Sequence, residues 1–218
     1  MTNRNFRRRR LWAVLLLGVI AIAVAVFGNA LATRIYLDEA SARGQTTLRL
    51  AVAALRGHMS RYEPLPALIA DQEGVRDLVA DPGNAGLRKT ANDYLKEINA
   101  LLESSDIYVM TPDGDTIAAS NHDGPASFVG ENFSYRPYFQ DAMKGKQGRF
   151  FALGTTSLKR GYYFSSPILV GGEIGGVVVF KVEIEAIEAA WRGGGNEIIV
   201  SDPEGIIFMT GRPEWLYA

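Results

Sequence analysis

An uncharged, mostly apolar run of about 22 residues, Leu11–Ala32, follows directly on Arg7 to Arg10. At ~1.5 Å per residue a helix of that length covers roughly 33 Å, the depth of a bilayer core. A helix also satisfies its backbone hydrogen bonds within the one segment, as hydrocarbon requires. The arginine cluster predicts a cytoplasmic N-terminus with the following chain sent outward. The competing reading is a cleaved signal peptide with a small-residue site at Ala30-Leu31-Ala32. The run is longer than the apolar region of such peptides and helical character continues past it, so a retained anchor is the reading adopted.

The net charge of −1 conceals an asymmetry. Five arginines and no acid fall in residues 1–10, which leaves 18 basic against 24 acidic residues, a net −6, in the rest. That balance points away from nucleic acid, yet it permits an anion site, which depends on local charge. The absence of cysteine excludes disulfide and cysteine–zinc frameworks. Two isolated histidines, His58 and His122, do not make a metal site. No nucleophile triad, phosphate-binding glycine loop or metal spacing is present, so the chain is expected to catalyse nothing alone and to hold no cofactor or metal.

Beyond the apolar run, Thr33 to about Ser60 reads as continuing helix, with Leu48, Val52, Leu55 and Met59 on one stripe. Ala67–Ala80 predicts one or two short helices, Asp81-Pro82-Gly83-Asn84 a break, and Leu87–Glu103 another helix. The composition then changes. Ile107–Met110 and Thr116–Ala119 read as strands around the turn Thr111–Asp115, and Pro137–Lys144 as a short helix. Residues 147–155, 160–168 and 174–184 supply three more strands. Five strands around a small helix, antiparallel in sequential order, suggest an α+β, PAS-like sheet. Ile107-Tyr-Val-Met-Thr-Pro-Asp-Gly is echoed 91 residues later by Ile198-Ile-Val-Ser-Asp-Pro-Glu-Gly. A second PAS-like domain is therefore expected to open after the Gly193-Gly194-Gly195 hinge, cut short after some 20 residues. The expected division is 1–10 cytoplasmic, 11–33 transmembrane, 34–104 helical stalk and lead-in, 105–192 membrane-distal domain and 193–218 the start of the truncated membrane-proximal one.

Two cations stand where a fold alone would not want them. In Val177-Val178-Val179-Phe180-Lys181-Val182, alternation places Lys181 on one face with Val177 and Val179, where a buried ammonium needs an anionic partner. Arg136 precedes Pro137, which disfavours a helical residue before it and suits a first helical position, so Arg136 is expected at a helix start. Thr155, Thr156, Ser157, Tyr162, Tyr163, Ser165 and Ser166 lie between them. Such groups make a receptor for a small dianion, each charge pair at ~4 Å contributing ~4 kcal/mol before desolvation at an effective dielectric of ~20. The plainer reading has both cations on the surface or paired with protein acids such as Glu183. Spacing alone leaves both readings open.

The ordered blocks Tyr135-Arg136-Pro137-Tyr138-Phe139, Gly148-Arg149-Phe150, Ala152-Leu153-Gly154-Thr155-Thr156-Ser157 and Arg160-Gly161-Tyr162-Tyr163-Phe164-Ser165-Ser166-Pro167 resemble the outer sensor domain of DctB-like histidine kinases. Those kinases detect four-carbon dicarboxylates such as succinate, fumarate and malate. The resemblance implies a PAS-like (Cache) fold, with Arg136 and Lys181 on the ligand carboxylates and Thr155, Ser157 and neighbouring hydroxyls completing the pocket. Thr156, Tyr138, Tyr163, Ser165 and Ser166 are the further candidates. Parity pairs Thr155 with Ser157 and Tyr163 with Ser165, and which face lines the pocket stays open.

On this resemblance the chain is a sensor in the bacterial inner membrane with its ligand domain in the periplasm. A homodimer is expected, and a response regulator served through a missing kinase part, where ATP and magnesium belong. Two other outputs are a periplasmic dicarboxylate-binding protein released by signal cleavage, and a chemoreceptor or cyclic-dinucleotide enzyme carrying the same outer domain.

Overall fold

The computed structural model describes residues 3–102, 106–192, 197–202 and 204–218, the side chains of 3–11, 13, 14, 186 and 190 excepted. The expected boundary at 104/105, the Gly193-Gly194-Gly195 hinge and Pro203 of the repeat lie outside the described residues. The chain divides into two compact units, Met1–Val52 and Ala53–Ala218.

Helix α1 (Asn3–Ser60) forms the first unit and opens the second, unbroken at Gly44 and Gly57. It is long and apolar enough to cross a membrane, with a mean hydropathy of 2.5 over 18 residues. Its large apolar side chains from Leu15 to Leu31 are exposed, as lipid contact would require. The expected stripe is only partly used. Leu48 and Val52 are exposed, whereas Met59 packs on the core of the second unit.

In the second unit α2 (Leu65–Ala70), α3 (Glu73–Ala80) and α4 (Ala85–Leu102) precede the sheet. The sheet comprises β1 (Asp106–Met110), β2 (Thr116–Ala119), then, after helix α5 (Pro137–Ala142), β3 (Gly148–Leu153), β4 (Arg160–Val170) and β5 (Glu173–Glu183). All neighbours are antiparallel, but the order is β2-β1-β5-β4-β3 rather than sequential. The apolar run of β5 takes the centre, where both edges are paired, and β1 joins it across the sheet. Its continuous hydrophobicity follows from helix and loop cover on both faces. Val178, Phe180 and Val182 pack with Ile69, Leu78 and Leu95 of α2–α4. Val177 and Val179 pack with Phe128, Phe133, Tyr138 and Phe139 on the other side.

Helix α5 sits close on the sheet because Gly148 has no side chain. A Cβ there would lie 2.4 Å from both the Tyr138 carbonyl and Ser165 Oγ.

After α6 (Glu185–Trp191), β6 (Ile199–Ser201) and β7 (Ile207–Thr210) form a hairpin, and a 3-10 turn spans Pro213–Trp215. The internal repeat is visible in its geometry. The β1–β2 register slips between Val109 and Met110, and the β6–β7 register slips at the equivalent Val200/Ser201. Gly114 and Gly205 occupy the same left-handed turn position, with φ of 88° and 93°. The Arg160 guanidinium anchors this hairpin, donating to Glu188 Oε1 and Oε2 at 2.6 and 2.5 Å and to the Phe208 carbonyl at 2.8 Å.

Candidate ligand-binding site

Sheet register assembles the site. Asp106 of β1 lies opposite Lys181 of β5, Lys181 opposite Tyr163 of β4, and Tyr163 opposite Phe150 of β3. These four side chains form one row across the sheet, on the face covered by α5. The Lys181 side chain is wholly buried (0 % exposed). Its Nζ donates to Ser157 Oγ at 2.8 Å and stands 3.5 Å from Asp106 Oδ2. The sequence suggested Glu183 as partner. Glu183, two residues further along and so on the same sheet face, is instead held at the end of β5 by Lys159, at 2.8 Å. Gly161 makes room for the lysine stem, since a Cβ there would meet Cγ and Cε at 3.0 Å. Burial pulls the Lys181 pKa below its ordinary value, while Asp106 and then Glu183 pull it back up.

Arg136 takes the position just before α5 with extended backbone (φ −74°, ψ 135°), as Pro137 dictates. It is 9 % exposed. Its guanidinium donates to the Leu153 carbonyl at 3.1 Å and to Thr155 Oγ1 at 3.4 Å, and it lies over the Tyr135 ring. Among the described residues no carboxylate is within ion-pairing distance of it. Both cations therefore grip the same short segment, Leu153–Ser157, one at each end.

Beside Arg136 is a small cavity, partly open to solvent, lined by Tyr108, Phe128, Phe133, Arg136, Tyr138, Gly154, Thr155, Thr156 and Tyr163. Its free volume of about 10 Å³ is room for roughly one water molecule. Tyr138 stacks on Tyr163 with ring centres 5.1 Å apart, and its hydroxyl shares a 2.7 Å hydrogen bond with that of Tyr108. Burial raises all three phenols, Tyr163 up to about 12 with Arg136 offsetting part of the rise. They are neutral donors at neutral pH. The lining thus offers one guanidinium and uncharged hydroxyls, with the Lys181 ammonium close by, 5.8 Å from the Phe128 ring.

Of the expected residues, Arg136, Tyr138, Thr155, Thr156 and Tyr163 line the cavity, and Lys181 and Ser157 adjoin it. Two do not reach it. Ser165 donates to the Tyr138 carbonyl at 2.7 Å and holds α5 in place, while Ser166, opposite Val178, lies on the other face. The parity argument for Thr155 and Ser157 lapses because β3 ends at Leu153 and a turn follows. Tyr108, Phe128, Phe133 and Asp106 were missed. Alternation along β1 would have put Asp106 and Tyr108 on one face, but nothing local shows that β5 lies alongside.

No family model matches the chain. Two curated relatives are each described as a C4-dicarboxylate transport sensor protein DctB. The Pseudomonas aeruginosa protein is 40% identical over 186 residues, covering 85% of this chain and 30% of its own length. The Rhizobium meliloti protein is 32% identical over 215 residues, covering 97% of this chain and 34% of its own. The chain thus spans about a third of the length of these relatives. Among solved structures, the sensor domain of the V. cholerae histidine kinase DctB superposes with a TM-score of 0.78 at 33% identity, over 80% of this chain and 67% of that one. Sequence identity and fold agree, and the chain belongs to the DctB family of sensor proteins.

Proposed function

We propose that this chain is the input region of a two-component sensor histidine kinase and that its outer domain binds C4-dicarboxylates such as succinate, fumarate and malate. One observation carries the reading: a buried arginine with no carboxylate partner among the described residues shares a cavity wall with the segment that a buried lysine also holds. An unneutralised guanidinium in low dielectric is costly to maintain and is suited to a ligand carboxylate. The second carboxylate goes to Lys181 and Ser157, with Thr155, Thr156, Tyr138 and Tyr163 donating to the remaining oxygens. The cavity is too small for a four-carbon ligand, so the turn at 154–158 moves as the ligand enters.

In this reading α1 anchors the chain in the bacterial inner membrane, with residues 1–10 in the cytoplasm and the sheet in the periplasm. Two copies pair, and the ligand favours one of two arrangements of their long helices. Signalling requires different affinities for those arrangements. Autophosphorylation with ATP and magnesium, and phosphotransfer to a response regulator, belong to the kinase part of the family protein.

Thermal unfolding of the whole chain in detergent micelles tests the proposal. Succinate, fumarate or malate at millimolar concentration raises Tm, and butyrate, with one carboxylate, does not. No shift with any of the three dicarboxylates would sink it.

A further inference from the structure

We propose that Asp106 is a positioning residue of this site: an in-built carboxylate that occupies Lys181 while the site is empty and yields it to a carboxylate of the ligand. The inference rests on the dicarboxylate reading above. Its basis is the β1–β5 register, which sets Asp106 directly across from Lys181, with the aspartate side chain itself only 13 % exposed.

The contact distances support a displaceable partner. A committed ammonium–carboxylate hydrogen bond is about 2.7–2.9 Å long. Lys181 Nζ is that close to Ser157 Oγ, at 2.8 Å, but 3.5 Å from Asp106 Oδ2. The aspartate balances the lysine charge without the closest approach, and an ammonium carries three donors. Donor capacity therefore remains for a ligand oxygen. The Phe128 ring, 5.8 Å from Nζ, lines the cavity and places the ammonium head near that space.

The other charged and titratable groups around Lys181 are Glu183 on its own strand, Lys159 in the preceding loop and Tyr163 on β4. Glu183 is engaged by Lys159. Tyr163 is neutral until far above neutral pH, its pKa being pushed up to about 12. Asp106, 3.5 Å from Nζ, is thus the acid that does most to keep the buried ammonium charged against its desolvation.

Two consequences follow for a ligand. Where Lys181 is protonated, Asp106 competes with the incoming carboxylate and weakens binding. At alkaline pH the same aspartate preserves the charge that the ligand needs. Removing it should tighten binding at low pH and bring forward the alkaline loss of affinity.

The test is succinate affinity by calorimetry between pH 6 and 9.5, on the whole chain in detergent micelles. The comparison covers wild type, Asp106→Asn and Lys181→Met. The expected results are a roughly tenfold tighter Kd for Asp106→Asn at pH 6 and an alkaline loss of affinity about 1–3 pH units earlier than in wild type. Asp106→Glu, which keeps the charge, should retain the wild-type profile. Asp106→Ser repeats the neutral test if Asp106→Asn does not accumulate. A purely structural aspartate would lower Tm and leave the shape of the pH profile alone. If Lys181→Met loses succinate while the neutral variants superimpose on wild type, the positioning role is overturned and the dicarboxylate site stands. If Lys181→Met binds succinate as wild type does, the assignment of the site fails and this inference fails with it.

Discussion

Replacing Arg136 by glutamine separates a ligand-binding arginine from a structural one. Its guanidinium makes two hydrogen bonds, to the Leu153 carbonyl at 3.1 Å and to Thr155 Oγ1 at 3.4 Å. Losing them costs about 1 kcal/mol each. Against that loss, removing a buried charge with no carboxylate partner among the described residues relieves a desolvation penalty of similar size or larger. The expected net change is within ~1 kcal/mol, less than ~4 °C in Tm for a domain of this size. With ligand the balance differs. The attraction between guanidinium and carboxylate at ~4 Å is ~4 kcal/mol at an effective dielectric of ~20. Truncating one member of such a pair costs about 2–5 kcal/mol of binding. A mid-range loss of ~3 kcal/mol raises the succinate Kd by ~150-fold. Calorimetry on the whole chain in detergent gives Kd, and thermal unfolding without ligand gives the structural cost. A Kd within roughly threefold of wild type would refute the argument. So would a binding loss accompanied by a fall in Tm of more than ~10 °C, which would make Arg136 a structural residue.

Three further outcomes are expected. Arg160→Ala leaves the Glu188 carboxylate, 1 % exposed, without its bidentate partner and should destabilise by about 3–5 kcal/mol. The urea midpoint reports this, and the double variant Arg160→Met/Glu188→Gln should recover much of the loss. Leu158 holds φ +55° in the turn beside the site with its side chain exposed, so Leu158→Asn should stabilise by about 1 kcal/mol in the same assay. A midpoint that does not rise would show that this turn is not strained. The last concerns alkaline pH. The folded Lys181 pKa lies below 10.5, so the unfolded chain binds more protons between the two values and Lys181 makes stability rise with pH there. Tyr108, Tyr138 and Tyr163 act oppositely. Their raised pKa values give stability that is complete below pH 10 and lost as pH climbs toward their folded values. Lys181→Met should therefore flatten the rise of Tm below pH 10 and leave the fall above it, as thermal scans from pH 7 to 11 would show.

Much of this protein is written locally. The apolar length behind Arg7 to Arg10 is enough for a membrane helix because spanning depends only on rise per residue and hydrophobicity. Pro137 placed Arg136 at a helix start, and the strand positions came within about two residues of the observed ones, because alternation and turn residues act over a few neighbours. The repeat 91 residues apart was also visible, and its two hairpins share a slip and a left-handed glycine.

The site itself was decided by pairings between distant segments. The hydroxyls of Ser165 and Thr155 look equivalent in the sequence. One was taken by the Tyr138 carbonyl where α5 presses on Gly148, and the other was left facing the cavity. The partner of Lys181 depended on β1 docking against β5 rather than against β3, a choice made by packing on two sheet faces at once. Local chemistry supplied the two cations. Only long-range register could bring Asp106 and the tyrosines to them, because a strand's own residues specify which way its side chains alternate and not which strand lies beside it.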